Sequence, residues 1–318
     1  MIWGEFGLHL VLIMFFGWKI SVLAEKLSIA KNLGRGLVGF VLLGFTTSLP
    51  ELITTMTSVL HIENTQLGAG NIIGSNNANM LILFFSVISV SSLMKEDKVD
   101  RENLVAVAFL FMMLGVFLAG TAMEISCGFS IYGLIIAGLF FFSIKAIKKV
   151  GDQDNIENNT ADKAGLGPLF YFKLSASALF LVLVSWRTSF VVDSMTGLYN
   201  WNSTSAGALF LAWATSLPEL AVTVSAIIIG AKELGIGNIL GSNIFNMFVL
   251  ALADIFSGKK LTVFRADSRL MVFTGMLIIM SSGLIIMLSA KENKKIFGIT
   301  VIPAIMIMLY FAGMIFSF

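Results

Sequence analysis

Long apolar runs alternate with short charged clusters along the whole chain. Runs of this length fit helices that cross a bilayer, each needing about 20 residues. The pattern predicts ten such spans, near 5–24, 35–60, 69–93, 103–122, 128–147, 169–192, 205–230, 236–256, 268–289 and 296–316. Charges fall between them, as in "KEDKVDRE" at 95–102 and "AKENKK" at 290–295. The longest polar piece, 148–168, is rich in Asn, Asp and Gly and reads as a cytoplasmic linker between two halves, 1–147 and 169–318.

Polar residues inside the apolar runs break this pattern, and they do so twice. "TSLPEL" occurs at 47–52 and again at 215–220. Downstream, "GNIIGSNNANM" at 70–80 matches "GNILGSNIFNM" at 237–247 in eight of eleven positions. Such self-similarity marks an internal repeat. Equivalent helices are separated by five spans, an odd number, so the second copy crosses the membrane in the opposite sense. The expected fold is therefore an all-α membrane protein of two five-helix inverted-topology repeats, a common plan of secondary transporters.

Within each copy the chemistry is that of oxygen. Pro50 and Pro218 lack an N–H and crowd the carbonyls of Thr46 and Ala214, so each helix breaks there. In lipid a break is tolerated only beside a partner or a cavity. Thr47, Glu51 and Thr55 recur at i, i+4 and i+8, with Ser48 close by. Thr215, Glu219 and Thr223 repeat the spacing, with Ser216 close by. Free carbonyls, hydroxyls and a carboxylate are hard ligands, of which Ca²⁺ takes six to eight. On the next helix of each pair run Asn71, Ser75 and Asn79, then Asn238, Ser242 and Asn246. Asn71 and Asn238 read either as ligands or as interhelical glue; Asn76, Asn77 and Asn243 either tune the site or only pack. Gly70 and Gly74, then Gly237 and Gly241, allow close backbone approach. A carboxylate inside a span is costly, about 2.5–3.5 kcal/mol at a helix centre, and so is functional by default.

Composition agrees. The chain of 318 residues is 57% hydrophobic and 13% charged, with mean hydropathy +0.91, so the bilayer is its solvent. The net charge of +2 says little about partners, and no basic patch in the sequence suggests nucleic acid. A single cysteine, Cys127, allows neither an internal disulfide nor a thiolate metal cage. The opening "MIWGEFG" lacks the basic region of a signal peptide, so the first run is kept as a mature helix. With both termini on the extracytoplasmic side of the cell membrane, inside loops hold sixteen Lys and Arg and outside loops five. The loop at 257–269 runs against this bias. An intramembrane hydrolase would need H-E-x-x-H, paired membrane aspartates or a mid-membrane Ser/His dyad. His9 and His61 lack that spacing, and Asp254 is the only Asp within a predicted span.

At the duplicated blocks the chain resembles the calcium/cation antiporter superfamily, and within it the membrane region of sodium/calcium exchangers. The specific likeness covers about 36–85 and 205–250. It implies a Na⁺/Ca²⁺ antiporter without a cofactor, with Ca²⁺, Na⁺ and the lipid bilayer as partners; the sequence leaves the oligomeric state open, and a monomer is compatible with it. The alternative in the same class exchanges H⁺ or another divalent cation. The likeness further implies Glu51 and Glu219 as Ca²⁺ carboxylates, with Thr47, Ser48, Thr215, Ser216 and the backbone oxygens of Gly44 and Ala212 as further ligands. Ser75 and Ser242 would line sodium subsites, and Asn79 and Asn246 the central position. It also implies three Na⁺ exchanged per Ca²⁺ and alternating access by sliding of the first and sixth helices. Thr46 and Ala214, where relatives often carry Gly, depart from the pattern, as do Phe45 and Trp213. Asn246, where some relatives have Asp, argues against potassium co-transport.

Overall fold

The computed structural model describes residues 2–60, 65–89, 101–122, 130–155, 166–198, 213, 215–257, 268–289, 295–296 and 299–317. Helix α1 spans Ile2–Lys31. The next span is composite: α2 (Arg35–Val38), a π-helical turn (Gly39–Leu43), α3 (Gly44–Thr47) and α4 (Leu49–Leu60). The first half continues with α5 (Thr65–Ser89), α6 (Arg101–Ala122) and α7 (Ile131–Asn155). The second contains α8 (Pro168–Leu198), α9 (Leu217–Ile228), α10 (Lys232–Ser257), α11 (Ser268–Ser289) and α12 (Val301–Ser317). A two-residue antiparallel pair, β1 (Lys295–Ile296) with β2 (Ile299–Thr300), precedes α12.

Among the described residues seven helices are long and apolar enough to cross a membrane, and the bent span 35–60 makes an eighth. α9 and α12 are shorter apolar helices. Most of the expected start of the seventh span, 205–212 and 214, lies outside the described residues. Three expected boundaries are corrected. α1 runs on to Lys31 rather than ending near 24. There Asn32 turns left-handed (φ 50°), and the Leu33 N–H donates to Ser28 O at 2.9 Å. These bonds take up the helix's last carbonyls. α7 reaches Asn155, so the first part of the linker is helical. α12 starts at Val301 because the strand pair takes up the chain before it.

Two helices form the interior. The most apolar windows of α5 and α10 are each 78% buried, against 22% for α8 and 28% for α7. α10 packs on α2, the π-helical turn, α3, α4, α5, α6, α7 and α9. That burial requires small residues, because lipid supplies no hydrophobic drive between helices and close packing must hold them. A Cβ on Gly241 would lie 2.7 Å from Phe40 Cα, and one on Gly44 would lie 2.7 Å from Gly241 C. A Cβ on Gly237 would lie 2.5 Å from Gly36 O. The expected glycine contact thus holds for the second copy, as a backbone-on-backbone seam between residues 36–44 and α10. Gly70 has nothing within 4 Å among the described residues.

Two carboxylates outside the repeat blocks are structural. Glu102, at the start of α6, accepts the Leu37 N–H at 2.9 Å and so caps the short α2 from a neighbouring helix. Gly34, Gly36 and Gly151 leave room for its side chain. Asp254 is buried; it accepts the Ser130 hydroxyl, whose oxygen in turn accepts the Gly133 N–H at 2.9 Å at the start of α7.

Candidate functional site

Both "TSLPEL" segments break in the same way. Ser48 (φ −90°, ψ 7°) and Ser216 (φ −84°, ψ 3°) leave the helical region at matching positions, two residues before Pro50 and Pro218. The first span bends by 46° there. Each new helix starts one residue later, so Glu51 and Glu219 both lie in a first turn. Unpaired N–H groups and the helix dipole favour negative charge at that place. The break that Pro enforces therefore also supports the carboxylate beside it.

The two breaks meet. Ser48 Oγ donates to Glu219 Oε1 at 3.2 Å. Thr47 Oγ1 and Ser242 Oγ lie 3.0 Å apart, and Ser75 Oγ and Thr215 Oγ1 lie 3.4 Å apart. Each of these contacts joins one copy to the other. Gly44 O takes part too, 3.4 Å from Ser242 Oγ. Asn71 Nδ2 donates to Thr55 Oγ1 at 3.2 Å, and Asn238 Nδ2 to Thr223 Oγ1 at 3.0 Å, which ties each helix pair internally. Thr47, Ser48, Glu51, Ser75, Asn79, Thr215, Ser216, Glu219, Ser242 and Asn246 are all fully buried. Of the expected ligands, Ala212 alone lies outside the described residues.

The unpaired atoms decide what this cluster can hold. Glu51 Oε1 and Oε2, Glu219 Oε2, Asn71 Oδ1, Asn79 Oδ1, Asn246 Oδ1 and Ser216 Oγ are buried without a hydrogen-bond partner. Thr215 lies beside the Glu51 carboxyl, yet neither carboxyl oxygen has a donor in bonding geometry. All of these atoms are oxygens. The side-chain nitrogens of Asn71, Asn79 and Asn246 are committed elsewhere. Among the described residues no Lys or Arg is buried. Buried acceptors without donors, around two carboxylates without a counter-charge, are costly unless a cation completes them. Oxygen donors of this kind suit a hard cation, Ca²⁺ or Na⁺, rather than a thiophilic metal.

The departures at 45 and 46 lie away from this cluster. Thr46 Oγ1 donates back to Leu42 O at 2.7 Å, in the preceding π-helical turn of the same span. Phe45 is half-exposed and meets the Phe245 ring edge-on, at 5.0 Å between centroids. The sequence alone does not separate packing from site-tuning at Asn76 and Asn243. Both are fully buried and face one another across the crossing of α5 and α10.

Comparison with known proteins agrees with this chemistry. The profile of the family described as sodium/calcium exchanger protein matches residues 1–144 and 173–318. The sodium/calcium exchanger MaX1 of Methanosarcina acetivorans is 27% identical, over 96% of this chain and 93% of its own. Inner membrane protein YrbG of Escherichia coli is 28% identical over 67% of each chain. Among solved structures, the sodium-calcium exchanger NCX_Mj superposes with a TM-score of 0.74 at 21% identity, covering 98% of this chain and 96% of that one, a shared fold. The family match spans both halves and includes the residues whose oxygens converge, so the chain belongs to the sodium/calcium exchanger family: a multi-pass membrane antiporter for cations, not an enzyme.

Proposed function

We propose that this chain exchanges Na⁺ for Ca²⁺ by alternating access at a midplane site between two inverted-topology repeats. The observation that carries the reading is the cluster of buried oxygens without hydrogen-bond partners around Glu51 and Glu219. The proposed Ca²⁺ ligands are those two carboxylates, with Thr47, Ser48, Thr215, Ser216 and the backbone oxygens of Gly44 and Ala212. Ser75 and Ser242 line Na⁺ subsites, and Asn79 and Asn246 complete the centre.

The matched contacts support the repeat. Thr47 with Ser242 mirrors Thr215 with Ser75, and Asn71 with Thr55 mirrors Asn238 with Thr223. A pseudo-two-fold axis in the membrane plane generates such pairs, and transporters built this way bind at the repeat interface. In this reading ten spans form the halves 1–147 and 169–318, the linker 148–168 is cytoplasmic, and both termini are extracytoplasmic.

The test is uptake of radioactive calcium into proteoliposomes, with sodium, potassium and proton gradients imposed one at a time. Uptake against the calcium gradient is expected with an outward sodium gradient alone. Uptake driven equally by a proton gradient, or only downhill flux, overturns the assignment.

A further inference from the structure

We infer that Asn76 and Asn243 are positioning residues that hold the side-chain amides of Asn246 and Asn79 with their oxygens turned into the ion site. The inference rests on the proposed site and concerns groups that hold its ligands.

The argument starts from two backbone carbonyls. Asn76 Nδ2 donates to Asn243 O at 3.2 Å, and Asn243 Nδ2 donates to Asn76 O at 3.3 Å. A carbonyl oxygen only accepts, so each amide must present its nitrogen there. That leaves each amide oxygen facing the other way. Asn243 Oδ1 accepts from Asn79 Nδ2 at 3.0 Å, and Asn76 Oδ1 accepts from Asn246 Nδ2 at 2.9 Å. With those nitrogens engaged, Asn79 Oδ1 and Asn246 Oδ1 remain buried without a partner. The polarity of the chain of bonds thus runs from the main chain to the ligand atoms without a free choice at any step.

This matters because an amide has two nearly isosteric ends. Turned by 180°, Asn79 or Asn246 would offer an N–H pair to a cation, and a ligand would become a repulsive group. Plain interhelical adhesion would need only the two bonds to the carbonyls. The two further bonds are directional, and each crosses from one copy to the other. The same geometry favours a neutral residue at 246, since a carboxylate would set an oxygen against Asn76 Oδ1.

A double-mutant cycle tests this, read as equilibrium binding of ⁴⁵Ca²⁺ to the purified full-length protein. Asn243→Ala is expected to weaken Ca²⁺ affinity about ten-fold, the size of one lost interaction with a charged group. In an Asn79→Asp background the same change is expected to cost nothing or to raise affinity, because a carboxylate has no nitrogen end to misdirect and its oxygen already stands against Asn243 Oδ1. An equal loss in both backgrounds means that Asn243 only packs, and overturns the inference while leaving the ion site intact. If wild-type protein binds neither Ca²⁺ nor Na⁺, the site itself falls and takes the inference with it. Should Asn243→Ala not give monodisperse protein, Asn76→Ala with Asn246→Asp is the equivalent cycle in the other copy. Misfolding of both alanine variants makes the pair structural and also overturns the inference.

Discussion

Ser48 of the first broken segment donates its hydroxyl to Glu219 of the second, across 171 positions of sequence. Each carboxylate therefore lies against the break of the other copy, with Thr215 beside Glu51 in turn. The candidate site is shared between the copies.

The two carboxylates supply its charge. Glu51→Gln or Glu219→Gln places an amide nitrogen among acceptors and removes a negative charge that a cation would neutralise. Each is expected to lower sodium-driven calcium uptake about a hundred-fold or more. Uptake assays on protein that remains monodisperse in gel filtration check this. Wild-type flux in either variant refutes the site.

The glycine seam sets a steric limit. Gly241→Ala drives a Cβ into the Phe40 backbone, and Gly44→Ala drives one into Gly241. Backbone cannot rotate aside as a side chain can, so each is expected to destabilise the protein by about 1–3 kcal/mol. Gly70→Ala, with nothing within 4 Å among the described residues, is expected to stay within about 0.5 kcal/mol of wild type. Thermal unfolding in detergent separates the three.

The proposed stoichiometry makes exchange electrogenic. Three Na⁺ for one Ca²⁺ moves one net charge per cycle, worth about 2.3 kcal/mol per 100 mV, or roughly fifty-fold in the equilibrium calcium ratio. A potassium diffusion potential across proteoliposomes with fixed sodium gradients reads this directly. A zero-flux ratio indifferent to voltage means electroneutral exchange.

The proposed inverted topology would put the start of α5 outside and the start of α10 inside. Single cysteines at Gln66 and Lys232, in a Cys127→Ser background, are expected to react with an impermeant thiol reagent from opposite faces of the membrane. Labelling of both from one face of intact cells rules the inversion out.

The duplicated motifs make much of the candidate site legible in the sequence. Periodicity alone put Thr47, Glu51 and Thr55 on one stripe, and proline chemistry predicted the breaks that appear at Ser48 and Ser216. What stayed hidden depends on contacts distant in sequence. The π-helical turn at Gly39–Leu43 has no proline to announce it. Glu102 looked like one more charge in a loop cluster, yet it caps a helix 65 positions away. Asn76 and Asn243 lie one step off the ligand stripes, and nothing local says that they face each other. Helix ends were misread where a cap decided them, as at Asn32, because hydropathy does not register a left-handed turn.

The crossed asparagine bonds have a consequence for how this chain tolerates change. The amide that orients Asn79 belongs to the second copy, and the amide that orients Asn246 belongs to the first. On the proposed site, a substitution at 243 would thus be felt at a ligand in the opposite half, while its own half would keep every proposed coordinating atom. On that reading the two copies are coupled through these bonds: a change at either asparagine alters the hydrogen-bond partner of a proposed ligand in the other copy.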